Sequence, residues 1–285
     1  MFRVSDMERL VATALAEDLD ERGDITTAAT VPASTVARAA MVARADGVIA
    51  GLAAACATFE AVDPRLIVEL RAADGDRVRA GEVVLAVRGP ARSVLMAERT
   101  ALNLVTHASG IATLTARYVA QVAGTGVVIR DTRKTLPGLR ALAKAAVVAG
   151  GGTNHRLSLS DGLLVKDNHV AAAGGVTRAT RAALAAGAGV EVQVEVDSLA
   201  ELDEALAAGA RSVLLDNFSL DATREAVLRC RACAEPVFVE VSGGVRSDAI
   251  AAIAATGVDA IAVGALTHSA PALDLGLDVT LVEAP

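Results

Sequence analysis

Six short runs rich in valine, isoleucine and leucine recur between Val127 and Leu266: VVIRD, LLVKD, VEVQVEVD, SVLLDN, VFVEVSGG and AIAVGAL. Ala-rich stretches of helical length, such as SLAELDEALAAGA and SDAIAAIAATGV, separate them. Strands that alternate with helices build a parallel sheet, because antiparallel neighbours need only a tight turn between them. The near-continuous apolar character of the runs predicts a sheet buried on both faces. Six or seven such units in so short a span suit a compact TIM-like (β/α) barrel over residues 111–269, better than an open doubly wound sheet. No GxGxxG fingerprint follows any run, which removes the usual dinucleotide site.

The first 110 residues lack this rhythm. A short helix, an acidic turn (EDLDERGDITT), a strand-like ARAAMVARADGVIAG, an Ala-rich helix and IVELR lead to DGDRVRAGEVVLAVRGP, whose two alternating runs read as an antiparallel hairpin. That hairpin resembles those of lipoyl carrier domains but has no lysine to modify, so its reading is structural. A long helix is expected from about Ala97 to Ala120. Residues 1–110 are thus expected to form a smaller α+β sandwich domain ahead of the barrel, with the tail 270–285 packed on it; the 285-residue chain is long enough for both.

Charge and composition exclude several classes of function. A net charge of -7 and a pI near 5.2 argue against a nucleic-acid footprint. The longest clean apolar run, Gly47 to Phe59, stops short of the roughly 20 residues a membrane-spanning helix needs. The start, MFRVSDMERL, has acidic residues and lacks the apolar core of an export signal, so a cytoplasmic location is expected. Three cysteines, with Cys230 and Cys233 in RCRAC and no second pair, fit structural thiols rather than zinc. Any anion must therefore be met by a local cluster of cations. Of 27 basic residues only three are lysine, Lys134, Lys144 and Lys166, all in one window of a chain that otherwise uses arginine. Ammonium and guanidinium differ as ligands, which makes that window the first place to look for chemistry.

Polar residues gather at the ends of the runs. Arg130, Asp131, Arg133 and Lys134 follow the first, Lys166 to His169 the second, Glu195 and Asp197 the third, Asp216 and Asn217 the fourth. Glu240, Ser242, Gly243 and Gly244 close the fifth, and Gly264 follows the sixth. In (β/α) barrels the C-terminal rim of the strands carries the active site. A cationic set (Arg133, Lys134, His155, Arg156, Lys166) suits carboxylate or phosphate oxygens. The carboxylates Glu195 and Asp216 suit Mg²⁺ when substrate phosphates complete its shell. The turns SGGV and Val263 to Leu266 (VGAL) offer backbone N–H groups and helix starts to a phosphate, although either alone is equally an ordinary tight turn. GGGTNHR reads as a flexible connection delivering an anion-binding His155 and Arg156, and its spacing excludes a P-loop. His155 is open to two readings, a general acid or a neutral hydrogen-bonding group. Arg130 reads as a strand-end partner of Asp131, whereas Arg140 and Lys144 lie either near the site or on a solvated helical face. Glu98 and Arg99, taken alone, also read as a solvated helical face.

The stretches EDLDERGDITT, AERTALNLVTHASGIAT, IRDTRKTLPGLRALAKAAV, GGGTNHRLSLSDGLLVKDNHV, VEVDSLAELDEAL, LLDNFS, VSGG and TGVDAIAVGALTHS together resemble the type II phosphoribosyltransferases, and among them the quinolinate phosphoribosyltransferase family. The resemblance covers nearly the whole chain and is densest in TRKT.PG and GG..NHR...D..L.K.NH. It implies transfer of phosphoribose from phosphoribosyl pyrophosphate (PRPP) to quinolinate with decarboxylation, giving nicotinate mononucleotide, CO₂ and pyrophosphate in de novo NAD biosynthesis. It also implies Mg²⁺ but no organic cofactor. By that resemblance Arg133, His155, Arg156 and Lys166 line a quinolinate pocket, joined by Arg99 from the partner subunit of a homodimer or higher oligomer. Lys134 would meet phosphate of PRPP, Thr132 would bind substrate beside it, and Glu195 and Asp216 would face ribose hydroxyls and metal. Ser242, Gly243, Gly244, Gly264 and His268 would receive the 5′-phosphate, with Val263 and Ala265 among the substrate-binding residues. The neighbouring readings are a type II relative acting on nicotinate or another base, and a non-catalytic PRPP-binding barrel.

Overall fold

A computed structural model describes residues 4–187 and 189–282. Residues 1–3, 188 and 283–285, which include the first residues of MFRVSDMERL and the end of the tail, lie outside the described residues. The chain divides into two compact units, one made of the segments up to Ala116, Thr135–Gly151 and from Ala265 onward, the other of Arg117–Lys134 and Gly152–Gly264.

The first unit is built on an antiparallel sheet. Strands Val36–Ala43 (β1), Gly47–Val48 (β2), Ile67–Leu70 (β3), Arg77–Val78 (β4) and Val83–Pro90 (β5) arise in its N-terminal half, and Leu275–Val282 (β12, counting along the whole chain) closes it. The order is β12-β1-β5-β3, with Val36 opposite Val282 and Ala43 opposite Leu275. Alternation along β1 turns Ala37, Ala39, Met41 and Ala43 into a core shared with Ile49, Phe59, Leu85 and the helix residues Val94, Ala97, Ala101 and Val105. The expected hairpin in DGDRVRAGEVVLAVRGP does not form. β4 pairs with β2, and β5 pairs with β1 and β3. The alternating pattern identified strand-forming residues but not partners, which follow from burying Val84, Leu85 and Val87.

The long helix runs from Ala91 to Gln121, six residues earlier than its apolar pattern suggested, because β5 ends at Pro90 with no loop between. At Gly110 the C-terminal segment crosses the helix so closely that an added Cβ would lie 2.1 Å from the Pro271 carbonyl oxygen. The connection at Gly150 to Arg156, expected to be flexible, is tightly held at its start: a Cβ on Gly150 would lie 2.4 Å from the Ala112 carbonyl oxygen. The helix Arg140–Ala149 packs within this first unit. Lys144 on it is only 2% exposed, so a solvated face is excluded for that lysine.

The second unit holds six parallel strands: Val128–Arg130 (β6), Leu163–Val165 (β7), Val192–Val196 (β8), Ser212–Asp216 (β9), Phe238–Ser242 (β10) and Ala260–Ala262 (β11). Their order is β6-β11-β10-β9-β8-β7. The first strand pairs with the last, as in the circular order of a barrel with the β6–β7 ladder missing. Thr153 fills part of that gap by a parallel bridge to Arg130.

The two faces of this sheet differ. Ile129, Val165, Val194, Val196, Val213, Leu215, Val239, Val241 and Ile261 are buried and apolar, and the intervening helices pack on the same strands. Residues of the opposite parity include Arg130, Gln193, Glu195, Asp216, Glu240 and Ser242. The expected burial on both faces therefore holds, but only one of them is apolar throughout.

Alanine favours helix over glycine by about 1 kcal/mol in an open position. At Gly110 the clash is with backbone, which cannot rotate away. Gly110→Ala is expected to destabilise the chain by about 1–3 kcal/mol, read as a lower urea midpoint than wild type.

Candidate active site

Parallel pairing brings the C-terminal ends of all six strands to one edge, and the register fixes which side chains share a level. Glu195 lies opposite Leu214, and Asp216 lies opposite Ser242. Lys166 follows β7 directly and its Nζ forms an ion pair with Glu195. Its backbone N–H donates to His169 Nδ1 at 2.9 Å, so His169, from the polar run after the second strand, caps the helix Asp167–Ala173.

The turn after β9 is locked to the turn after β10. Asn217 takes a left-handed backbone (φ 56°), donates its N–H to the Ser242 carbonyl at 3.0 Å and donates its side-chain amide to Asp216 at 2.8 Å. Gly243 (φ 91°) passes so close that a Cβ there would lie 2.3 Å from Asn217 Oδ1. Glycine is therefore required by both backbone sign and space. The helices that follow these turns are short. After Gly244 only a short 3₁₀ turn (Ser247–Ala249) and the five-residue Ile250–Ala254 appear, and after Gly264 only Ala265–His268. Backbone N–H groups, rather than a long helix dipole, are what these turns offer.

At the β6 end, Asp131 is fully buried and accepts the backbone N–H of His155 at 2.8 Å, which ties the Asn-His-Arg segment to the strand. Arg130 is not the partner of Asp131. Its NH1 donates to Glu240 Oε2 at 3.0 Å, its NH2 to the Asn154 carbonyl, and its guanidinium stands over the Phe238 ring. Consecutive residues on a strand face opposite sides, so Arg130 reaches the inner face while Asp131 cannot share it. Burial pushes the Glu240 carboxyl above its ordinary value, opposed by the Arg130 charge and the Gln193 amide.

Two guanidiniums share this region. Burial holds Arg156 below its ordinary value, and the neighbouring Arg133 charge adds to that, offset by Asp161 and Glu195. The buried Arg133 Nε has no hydrogen-bond partner among the described residues. Arg156 also donates to the Gly162 carbonyl at 3.2 Å. A cavity of about 310 Å³ reaches from Arg156 and His155 past Gln193 to Arg130, Glu191 and Leu164. His155 uses both ring nitrogens within the protein: Nδ1 accepts the Arg156 N–H at 2.8 Å, and Nε2 lies 3.0 Å from Gln193 Oε1.

Arg133, His155, Arg156, Lys166, Glu195, Asp216, Ser242, Gly243, Gly244, Val263 and Gly264 thus belong to one unit, together with Thr132 and the exposed Lys134, whose N–H donates to Thr132 Oγ1. Val263 donates its N–H to the Arg130 carbonyl and is buried. Arg99, Ala265 and His268 belong to the first unit, with Arg99 and His268 exposed. Arg140 is also there, donating to Thr135 Oγ1. Gln193 and the inward role of Glu240 escaped the sequence reading. The period-two run Glu191, Gln193, Glu195 was the available signal, since all three share a face.

Family models match at both ends of the chain: the quinolinate phosphoribosyl transferase N-terminal domain over residues 24–109 and its C-terminal domain over residues 111–278. The chain belongs to the quinolinate phosphoribosyl transferase family. Within it, the nicotinate-nucleotide pyrophosphorylase (carboxylating) of Mycobacterium leprae is 52% identical over 272 residues, covering 94% of this chain and 95% of its own. The Archaeoglobus fulgidus protein named a probable enzyme of this type is 41% identical over 90% of this chain and 98% of its own. Among solved structures, the nicotinate-nucleotide pyrophosphorylase of Francisella tularensis superposes with a TM-score of 0.92 at 38% identity, covering 98% of each chain. Human nicotinic acid phosphoribosyltransferase, 17% identical with a TM-score of 0.64, shares the fold over 97% of this chain.

The buried Arg130–Glu240 pair gives a pH-dependent test. Arg130→Met leaves Glu240 without its cation and raises its folded-state pKa further above the unfolded value. A carboxyl raised in this way favours the folded state at low pH and loses that contribution as pH rises through the folded pKa. Arg130→Met is expected to lose about 3–5 kcal/mol at pH 8 and less at pH 5, read from urea unfolding at the two pH values.

Proposed function

We propose that the chain transfers phosphoribose from PRPP to quinolinate, releasing pyrophosphate and CO₂ and forming nicotinate mononucleotide for de novo NAD synthesis. The observation that carries this reading is the proximity of Arg133 and Arg156, two guanidiniums whose mutual repulsion an anionic ligand relieves. Quinolinate brings two adjacent carboxylates. Arg133, Arg156 and Lys166, with His155 beside them and Arg99 supplied by the partner subunit of a homodimer, supply forked and point-charge donors for both.

PRPP takes the remaining rim. Lys134 meets pyrophosphate oxygens next to Thr132, and the N–H groups around Ser242, Gly243, Gly244, Val263, Gly264 and Ala265, with His268, receive the 5′-phosphate. No three His, Cys, Asp or Glu side chains cluster as a metal set among the described residues. Glu195 and Asp216, on adjacent strands, fit the one or two carboxylates that Mg²⁺ takes when substrate phosphates complete its shell. Bound with PRPP, the ion supplies positive charge to the departing pyrophosphate. No organic cofactor enters the reading.

The chain's own groups account for the order of events. As the bond from the ribose anomeric carbon to pyrophosphate breaks, Lys134 stabilises the leaving charge, and Glu195 and Asp216 face the cationic carbon. The pyridine nitrogen then donates its electron pair to that carbon and becomes a pyridinium. Loss of the 2-carboxylate as CO₂ leaves an electron pair beside that positive nitrogen, where Lys166 and the arginines stabilise it until a proton is taken up. No helix among the described residues is long and apolar enough to cross a membrane; we place the enzyme in the cytoplasm.

With PRPP and carboxyl-labelled quinolinate, the chain is expected to release labelled CO₂; turnover of nicotinate without release would refute the dicarboxylate reading. Lys134→Ala and Lys166→Ala are each expected to lower kcat by roughly 10²-fold or more while retaining the wild-type melting temperature. Mixed dimers of Arg99→Ala and Lys166→Ala subunits should regain activity that neither variant has alone, and their failure to do so would return Arg99 to its own subunit's site.

A further inference from the structure

The proposed reaction gives no role to Gln193 or Glu240, yet both are buried at the centre of the second unit. Gln193 is 3% exposed and Glu240 0%. Glu240 Oε2 accepts from Arg130 NH1 at 3.0 Å and from Gln193 Nε2 at 2.8 Å, while Oε1 is buried with no hydrogen-bond partner among the described residues. A carboxylate kept inside a sheet with one oxygen unsatisfied is costly, and such groups call for an explanation beyond packing.

The explanation lies at the other end of the chain of bonds. Gln193 Oε1 faces His155 Nε2 at 3.0 Å, and His155 Nδ1 faces the Arg156 backbone N–H at 2.8 Å. A backbone N–H can only donate, so Nδ1 must carry a lone pair and the ring proton must sit on Nε2. That proton needs an acceptor, which is the amide oxygen of Gln193. Turning the amide over would set its NH₂ against Nε2–H and its oxygen against the Glu240 carboxylate, two repulsions at once. Glu240 therefore fixes the amide, the amide fixes the imidazole, and the imidazole holds the Arg156 backbone. The Glu240 carboxylate, whose Oε2 lies 3.7 Å from His155 Nε2, attracts a charged ring, but a protonated His155 would set a second N–H against the Arg156 N–H at 2.8 Å, and that direct clash favours the neutral ring.

We propose that Gln193 and Glu240 are positioning residues for the quinolinate half of the site, holding His155 as its neutral Nε2–H tautomer and thereby setting Arg156. This rests on the functional reading above for the identity of the ligand, but the tautomer itself does not. His155 accordingly acts through shape and hydrogen bonding rather than as a proton donor. Arg130 belongs to the same assembly as the cation that keeps Glu240 an acceptor.

Nitrogen-15 NMR of the full-length protein labelled at histidine separates the two. The chain has four histidines, so the His155 signals are assigned by their loss in His155→Asn. In wild type, Nε2 is expected protonated and Nδ1 unprotonated from pH 6 to pH 8. An Nδ1–H ring, or one that titrates in that range, overturns the proposal whatever the substrate proves to be. Gln193→Leu and Glu240→Leu are expected to give a mixture of tautomers and to raise KM for quinolinate about tenfold, with KM for PRPP within twofold of wild type. Glu240→Gln, which still offers an amide oxygen to Gln193, is expected to restore the wild-type tautomer and most of the quinolinate affinity. An unchanged KM for quinolinate in folded Gln193→Leu, or equal changes in both KM values, also overturns it. Absence of quinolinate turnover in wild type would instead sink the functional reading, leaving the tautomer to be decided by the nitrogen spectrum.

Discussion

Charge on the inner face of a parallel sheet has to be satisfied across that face, because the helices cover the other one. Here Glu240 is the centre of that constraint. It sits with no exposure, bonded to Arg130 on one strand and Gln193 on another. Through Arg130 it ties the first strand of the sheet to the fifth, and through Gln193 it reaches the third. The order β6-β11-β10-β9-β8-β7 has no ladder between β6 and β7, so side-chain bonds across the inner face contribute cohesion there that backbone pairing does not.

The same arrangement sets a level for everything nearer the strand ends. Lys166 and Glu195 pair one step along from Gln193, and Asp216 is steadied by Asn217, whose left-handed backbone is packed against Gly243. Rigid neighbours of this kind limit the rotamers available to the charged groups, which is what an electrostatic site requires of its supports. The side that carries Arg133 and Arg156 is built differently. Arg133 and Arg156 are close enough to repel, Asp161 and Glu195 offset part of the charge on Arg156, and the segment that carries Arg156 is anchored to Asp131 and to the His155 ring.

Much of this was legible from residue order. The six parallel strands fell on the six apolar runs because burial of one whole face demands valine, isoleucine and leucine at every second position, and the polar strand ends marked the rim because parallel strands finish on the same side. Pairing was less legible. The run RVRAGEVVLAV looked like a hairpin because alternation reports a half-buried strand and says nothing about which strand lies beside it. Arg130 was misread for a related reason: adjacency to Asp131 in sequence suggested a pair that the strand geometry forbids. Gln193 was passed over because an uncharged residue between two glutamates gives no charge signal, although its parity placed it on their face.

By itself, the sequence determined the fold class and the chemical character of the rim, because hydrophobic periodicity and charge are properties of residue order alone. It also carried the family, through motifs spread over nearly the whole chain. Only the tertiary structure decided which charges meet. It gave Glu240 to Arg130 and Gln193, engaged both ring nitrogens of His155 within the protein, and buried Lys144 that the sequence left open to solvent. Such pairings join residues as many as 110 positions apart, and their partners are selected by strand register and by the cost of leaving a buried polar group alone, neither of which is written locally in the chain.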